Sequence, residues 1–272
     1  SAAGLSFMDF IKELTGIVAA ILIVNVGLLT FIFRKQLVAA KEKMEKVAQL
    51  DNSHTITDKA LMIRSGIILL LVIIGFMLHD ITHIQTCVTA MAGAAFLLLF
   101  EKPQKIFNEV EWNTIFFFIG LFIIIGGLEH AGATSFLSSM VAGGIKLMSE
   151  WLLNVTNGSQ KATAMIILWA SGILSGIIDN IPYTATMSPL LVEVQKVMGA
   201  DYTFPLWWCL SLGACLGGNM TIIGAAANVI VSETAASTGH PIRFMYFLKY
   251  GVLVTIISLV MSTVYIWFRF LT

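Results

Sequence analysis

Apolar residues run along this chain in long blocks separated by short polar interruptions. A helix needs about 20 apolar residues to cross the hydrocarbon core of a bilayer. Residues 14–33 meet that requirement and end at Arg34-Lys35. The long polar segment that follows, 34–64, carries Lys41, Lys43, Lys46, Lys59 and Arg64. Within it, Lys and Glu at helical spacing predict a short surface helix over 38–50. Residues 61–78 predict a second span turned at His79-Asp80, and 82–100 a third that ends at Glu101-Lys102-Pro103. A fourth, 114–128, runs into Gly126-Gly127 and then Glu129-His130. Residues 134–148 are amphipathic and too polar to read as a span. The apolar run 162–178 leads straight into Asp179-Asn180-Ile181-Pro182. Residues 204–216 are too few to cross, and Gly217-Gly218-Asn219-Met220-Thr221 interrupts the pattern before 222–231. Residues 246–268 form the last predicted span.

Composition turns this pattern into a fold class. Of 272 residues, 57% are hydrophobic and 12% charged, and the mean hydropathy is +0.87. A soluble domain carries about 25% charged residues, so lipid must cover much of this surface. The expectation is an all-α polytopic membrane protein. A net charge of zero gives no basic surface for nucleic acid. Asp9, Lys12 and Glu13 make the first stretch unlike the basic n-region of a signal peptide. Cys87, Cys209 and Cys215 lie in apolar segments without CxxC spacing, which predicts thiols used as small hydrophobes rather than a disulfide framework or zinc site.

Orientation follows from basic residues in loops. Placing 34–64 in the cytoplasm, with 162–197 as a re-entrant hairpin from outside, brings Lys102, Lys105, Arg243 and Lys249 inside as well. The C-terminus is then outside, and the expected location is the plasma (inner) membrane. Trp112, Trp151, Trp207, Trp208 and Trp267 fall near segment ends, as an aromatic belt predicts. The two ends of the chain also echo one another. Phe7-Met8-Asp9-Phe10, a Gly16-led apolar span and Arg34 match Phe244-Met245-Tyr246-Phe247, a Gly251-led span and Arg269, given a two-residue gap. Opposed copies of this kind mark an inverted-repeat transporter. The expected organisation is 1–37 as the last span of a first repeat, 38–60 as a cytoplasmic linker and 61–272 as the second repeat, with a hairpin at 162–197 and a broken helix at 204–231. Most of the first repeat then lies outside this sequence, in keeping with Ser1 in place of a Met.

Two segments carry polar groups and helix breakers to membrane depth. In the first, residues 175–186, a carboxylate at the bilayer centre costs at least roughly 2.5–3.5 kcal/mol. Pro182 lacks an N–H and disfavours helix at Ile181. Backbone exposed in this way is tolerated only against protein or a water-filled cavity. A hairpin tip here presents Asp179, Asn180 and backbone groups to one small ion; the plain alternative is a loop at the surface. In the second segment, 217–228, glycines permit an unwound turn, and Thr221 is placed to cap the half-helix that follows. The N-terminus of that half-helix suits an anion, and the released carbonyls of the preceding half suit Na⁺. Close packing through small residues is the bland reading, and Gly224–Ala227 fits it.

The motifs Asp179-Asn-Ile-Pro-Tyr-Thr-Ala-Thr-Met-Ser-Pro and Gly217-Gly-Asn-Met-Thr-Ile-Ile-Gly-Ala-Ala-Ala-Asn-Val closely resemble the second repeat of the ion transporter superfamily. The nearest branch holds arsenite permeases, sodium–proton antiporters and the melanosomal P-protein, with citrate and dicarboxylate carriers further off. The resemblance implies that the first motif forms a hairpin tip facing an unwound segment made by the second. It implies ion or substrate contacts from Asp179, Asn180, Pro182, Thr184, Thr186, Gly218, Asn219, Thr221, Gly224 and Asn228. Na⁺ would sit at Asp179, Asn180, Asn219 and Thr221. It also suggests a homodimer.

The leading expectation is therefore secondary active transport of a small inorganic ion or carboxylate by alternating access, coupled to Na⁺ or H⁺ and needing no other cofactor. There is no Gly-x-x-x-x-Gly-Lys-Ser/Thr loop for ATP. A non-transporting membrane subunit or scaffold is the alternative. An intramembrane enzyme ranks lower, because an aspartyl pair needs two facing carboxylates and only Asp179 lies deep in a span. Glu129-His130 reads as a solvated cap before a proton relay, and His79, Asp80 and His83 as a tight turn before a metal site. Cys209 and Cys215, at i and i+6, do not share a helix face well enough to hold a trivalent arsenic species. Asn154 and Asn157 are formal glycosylation sequons.

Overall fold

A computed structural model of the chain describes residues 4–37, 59–100, isolated positions between 107 and 123, and 136–272. The expected surface helix at 38–50, the fourth span at 114–128 and Glu129-His130 lie largely or wholly outside the described residues. The described elements are all helical, and the chain divides into two compact units, 3–112 and 113–272.

The first unit holds α1 (Phe7–Phe33), α2 (Lys59–Met77), a short α3 (His79–Thr82) and α4 (Thr86–Leu98). Helix α1 begins seven residues before the apolar run because Ser6 and Asp9 form a capping box. The Asp9 amide donates to Ser6 Oγ at 3.2 Å and the Ser6 amide to Asp9 Oδ2 at 2.9 Å. Between α3 and α4 the chain reverses through His83 at φ 54°, and the imidazole of His79 sits 2.6 Å from the Ile84 carbonyl. The histidines thus serve the expected tight turn. Helix α4 is shorter than the span expected at 82–100. Its 13 residues rise about 20 Å, short of the roughly 30 Å hydrocarbon core, because the turn consumes 83–85.

The second unit holds α5 (Phe136–Val155), α6 (Gln160–Ser175), α7 (Asn180–Met198), α8 (Ala200–Gly217), α9 (Ala226–Ser237) and α10 (Phe244–Phe270). Helices α1, α2 and α10 are long and apolar enough to cross a membrane. With the all-helical architecture, this makes the chain an integral membrane protein.

Helix α8 is the centre of the second unit. It packs against both arms of the α6–α7 hairpin and against α10, and each arm touches α8 more than it touches the other arm. Trp207 and Trp208 are consequently buried, not displayed in an interfacial belt as expected, and Trp208 stacks on Phe270 with ring centroids 6.2 Å apart. Pro205 has no N–H for the Asp201 carbonyl, and Gln160 Nε2 takes that oxygen at 3.2 Å and the Tyr202 carbonyl at 3.0 Å. Thr163 Oγ1 bonds Thr156 Oγ1 at 2.9 Å and lies 2.8 Å from the Tyr202 hydroxyl. These bonds fix the base of the hairpin to the start of α8.

Further along, α6 and α8 approach backbone to backbone. A Cβ on Gly213 would strike the Leu168 carbonyl, and one on Gly217 would strike the backbone of Gly172. Ser175 Oγ bonds the Ala214 carbonyl at 2.6 Å across the same seam. Small residues at spacing four bring membrane helices this close. Gly217→Ala should therefore lower the thermal midpoint in detergent by the equivalent of about 1–3 kcal/mol, since the opposing backbone cannot yield. Gly16→Ala, where a Cβ meets open space, is the control. Equal midpoints for the two variants would refute the seam.

Candidate functional site

The break after α8 is longer than the glycines alone suggested. Gly217 ends α8, 3-10 turns occupy Gly218–Met220 and Ile222–Gly224, and Thr221 and Ala225 are extended. Helix α9 therefore starts at Ala226 with Ala225 as its N-cap, and no side chain caps it. This corrects the capping role expected of Thr221. Thr221 lies five residues before α9 and is buried, and its hydroxyl donates instead to the Gly176 carbonyl at 2.6 Å.

That bond joins the break to the tip of the hairpin. Gly176 closes α6, and a Cβ there would collide with Met220. Gly224 faces the Gly176 and Gly218 carbonyls, and Gly251 of α10 faces those of Asn219 and Met220. Asn228, one turn into α9, reaches back with Nδ2 to the carbonyls of Gly218 and Thr221, both at 2.9 Å. Two acceptors on one side settle which way the amide points, because only the NH₂ can face them. Oδ1 is then left as an acceptor directed elsewhere.

Across the tip, Asp179 is the N-cap of α7, and its Oδ1 accepts the Ile181 amide at 3.0 Å. Pro182 falls within the first turn, where an N–H has no helical partner to lose. Thr184 donates to the Asn180 carbonyl at 2.7 Å, and Thr186 to the Pro182 carbonyl at 2.6 Å. Asn180 is half-buried and Asn219 exposed, and both carboxamides stand outside the hydrogen-bond network of the described residues. The bonds to the break come from Gly176, three residues before Asp179, while the polar atoms of Asp179, Thr184 and Thr186 bond within α7. The structure thus unites Gly218, Thr221, Gly224 and Asn228 with the tip.

Several residues were not foreseen. Ser171-Gly172 and Ser175-Gly176 line the seam, and Ser171 accepts from the Tyr183 hydroxyl at 3.1 Å. Their spacing of four was the available signal. Asn25 is buried midway along α1 on one stripe with Ile21, and a lone Asn inside an apolar run was the signal there. Among the described residues no group of three His, Cys, Asp or Glu could hold a metal ion. Cys209 is buried and Cys215 exposed, which separates them as soft ligands.

Comparison with known proteins places this geometry. Residues 1–213 match the citrate transporter family. The chain belongs to that family. It is 38% identical over 99% of its length to an uncharacterized transporter of Mycobacterium tuberculosis, covering 61% of that protein. It is 36% identical over its whole length to a 46 kDa membrane protein of Mycobacterium leprae, again covering 61%. It is 32% identical over 86% of its length to the P protein of Sus scrofa, covering 28% of that chain. The chain thus spans about three-fifths of the mycobacterial relatives it matches. No solved structure matches it.

Two variants test the network of the citrate-transporter-like site. Thr221→Val leaves the Gly176 carbonyl buried without a donor and should cost about 1–2 kcal/mol, whereas Thr221→Ser should retain most of the stability. Thermal unfolding in detergent reads the difference, and matching midpoints for Val and Ser would contradict the bond. Asn228→Asp keeps the shape but turns an acceptor toward two carbonyls. Amide hydrogen exchange across 218–230 should rise at least as much as in Asn228→Ala, and unchanged exchange would mean the amide points the other way.

Proposed function

We propose that the natural protein is a secondary active transporter that moves a small anion, of the inorganic or carboxylate class, by alternating access coupled to Na⁺ or H⁺. The observation that carries this reading is the Thr221–Gly176 bond. It gathers a hairpin tip and an unwound helix into one polar locus in a membrane protein, and such irregular backbone is tolerated there only beside protein or a cavity. The chemistry on offer suits a coupled pair. Helix α7 already has a carboxylate at its N-terminus in Asp179, so that end does not call for an anion from outside. Helix α9 has no side-chain cap, and its N-terminus is the better place for one. Asp179, Asn180, Asn219 and Thr221 supply the hard oxygens that Na⁺ takes, and Asp179 is the group that would carry a proton in its place.

The family's description supports a carboxylate as the anion, and relatives named as transporters support transport as the activity. The matching ends of the chain support the inverted repeat, since both echo segments became helices of 27 residues beginning at Phe-Met. In this scheme α1 closes a first repeat and residues 34–64 face the cytoplasm.

The test is flux into proteoliposomes made with the natural full-length reading frame, under imposed Na⁺ and proton gradients, with citrate and arsenite as alternative substrates. Asp179→Asn is the informative variant, because Asn caps a helix as well as Asp does and the fold is kept. Its flux should fall about tenfold or more, equivalent to about 1.4 kcal/mol of lost coupling-ion interaction, with an unchanged thermal midpoint. Undiminished flux would remove Asp179 from the site. No flux under any gradient from folded protein would favour the scaffold reading.

A further inference from the structure

Helix α5 has three faces, not two. Ser149 and Leu152 are buried and Ile145 is half-buried, forming a stripe that packs against α7. Leu147, Met148, Trp151 and Val155 form a second stripe, each more than half exposed. Lys146, Glu150 and Asn154, all exposed, form a third at spacing four, with Lys146 Nζ 4.0 Å from the Glu150 carboxylate. At about 100° per residue the three stripes lie roughly 120° apart.

No single solvent satisfies the two exposed stripes. In the hydrocarbon core, Lys146 and Glu150 would each cost at least roughly 2.5 kcal/mol. In water, four large apolar side chains would stand open along one face. Only the boundary between acyl chains and headgroups serves both. The connection to the hairpin agrees with this placement. A four-residue turn, with Asn157 and Gly158 at positive φ, leads from α5 to α6, yet the helix that α5 packs against is α7. The turn swings α5 out of line with α6 and does not fold it back alongside.

We propose that α5 is an interfacial helix whose partner is the phospholipid bilayer. It lies in the membrane plane with Leu147, Met148, Trp151 and Val155 among the acyl chains, and with Lys146, Glu150 and Asn154 at the hydrated headgroups. Through its packed stripe it fixes α7 at the level of the interface. This rests on the chain being a membrane protein and not on the transport reading.

Spin labels on single cysteines at 146, 147, 148, 150, 151, 154 and 155 provide the test. They are introduced into the full-length protein with its native cysteines replaced, in phosphatidylcholine vesicles. All seven positions are exposed, so labelling leaves the packed stripe intact. Labels at 147, 148, 151 and 155 should collide preferentially with oxygen at one shallow depth, about 5–10 Å below the headgroups. Labels at 146, 150 and 154 should collide preferentially with a water-soluble nickel chelate. A depth that changes steadily by about 12 Å from 147 to 155 would mean a crossing helix and overturn the proposal. Low collision rates with both reagents at every position would mean that protein covers α5, and would overturn it too. As an independent reading, brominated lipid should quench the tryptophan emission that Trp151→Phe removes, and unquenched emission would count against the proposal.

Discussion

A helix that stops inside a membrane leaves carbonyl oxygens that lipid cannot satisfy, and the architecture of the second unit is arranged around that debt. Asn228 answers two of them, at Gly218 and Thr221, from the helix on the far side of the break. Thr221 answers a third at Gly176, where α6 ends in the hairpin. Two ends of chain that each need donors thus complete one another, and the polar locus holds together without a charged side chain at its centre. Each bond carries more consequence here than in water, because the alternative is an oxygen facing hydrocarbon.

Such short bonds require backbones to lie close, and that requirement selects the residues around the locus. Gly172, Gly213 and Gly217 remove side chains where α6 meets α8, and Gly251 does the same where α10 meets the break. Between membrane helices there is no gain from hiding oil in oil, so contact has to come from fit and hydrogen bonding. Buried Ser258 and Ser262 on α10 are in keeping, each returning its hydroxyl to the carbonyl four residues earlier. The large side chains collect at the other end of α8, where Trp208, Phe204 and Phe270 stack.

The spans, the hairpin and the break were legible in the sequence because lipid imposes a length on apolar runs and makes every polar interruption conspicuous. Asp179 at the head of α7 and the glycines after 216 could be placed from that alone. What could not be read was partner choice. Thr221 was expected to cap the helix that follows it, a local rule, but the break ran on to Ala225 and the hydroxyl turned to Gly176, which is 45 residues away in sequence. Trp207 and Trp208 followed the same lesson. Their position near a segment end suggested an interface, whereas their depth depends on α6, α7 and α10 wrapping α8. Local chemistry reports which groups need satisfying; packing determines which neighbour does it.

The place of α8 between the hairpin arms has a bearing on how the protein is made. The arms α6 and α7 leave the ribosome first, yet they share little surface with each other and most of it with α8. Two short helices joined by Asp179, Asn180 and Pro182 have small reason to enter lipid as a pair. Their stable residence awaits residues 200–217, and the last hydrogen bonds of the tip await Thr221. Insertion of this region is then a concerted event near the end of translation, with the hairpin lingering in the protein-conducting channel until its core helix arrives.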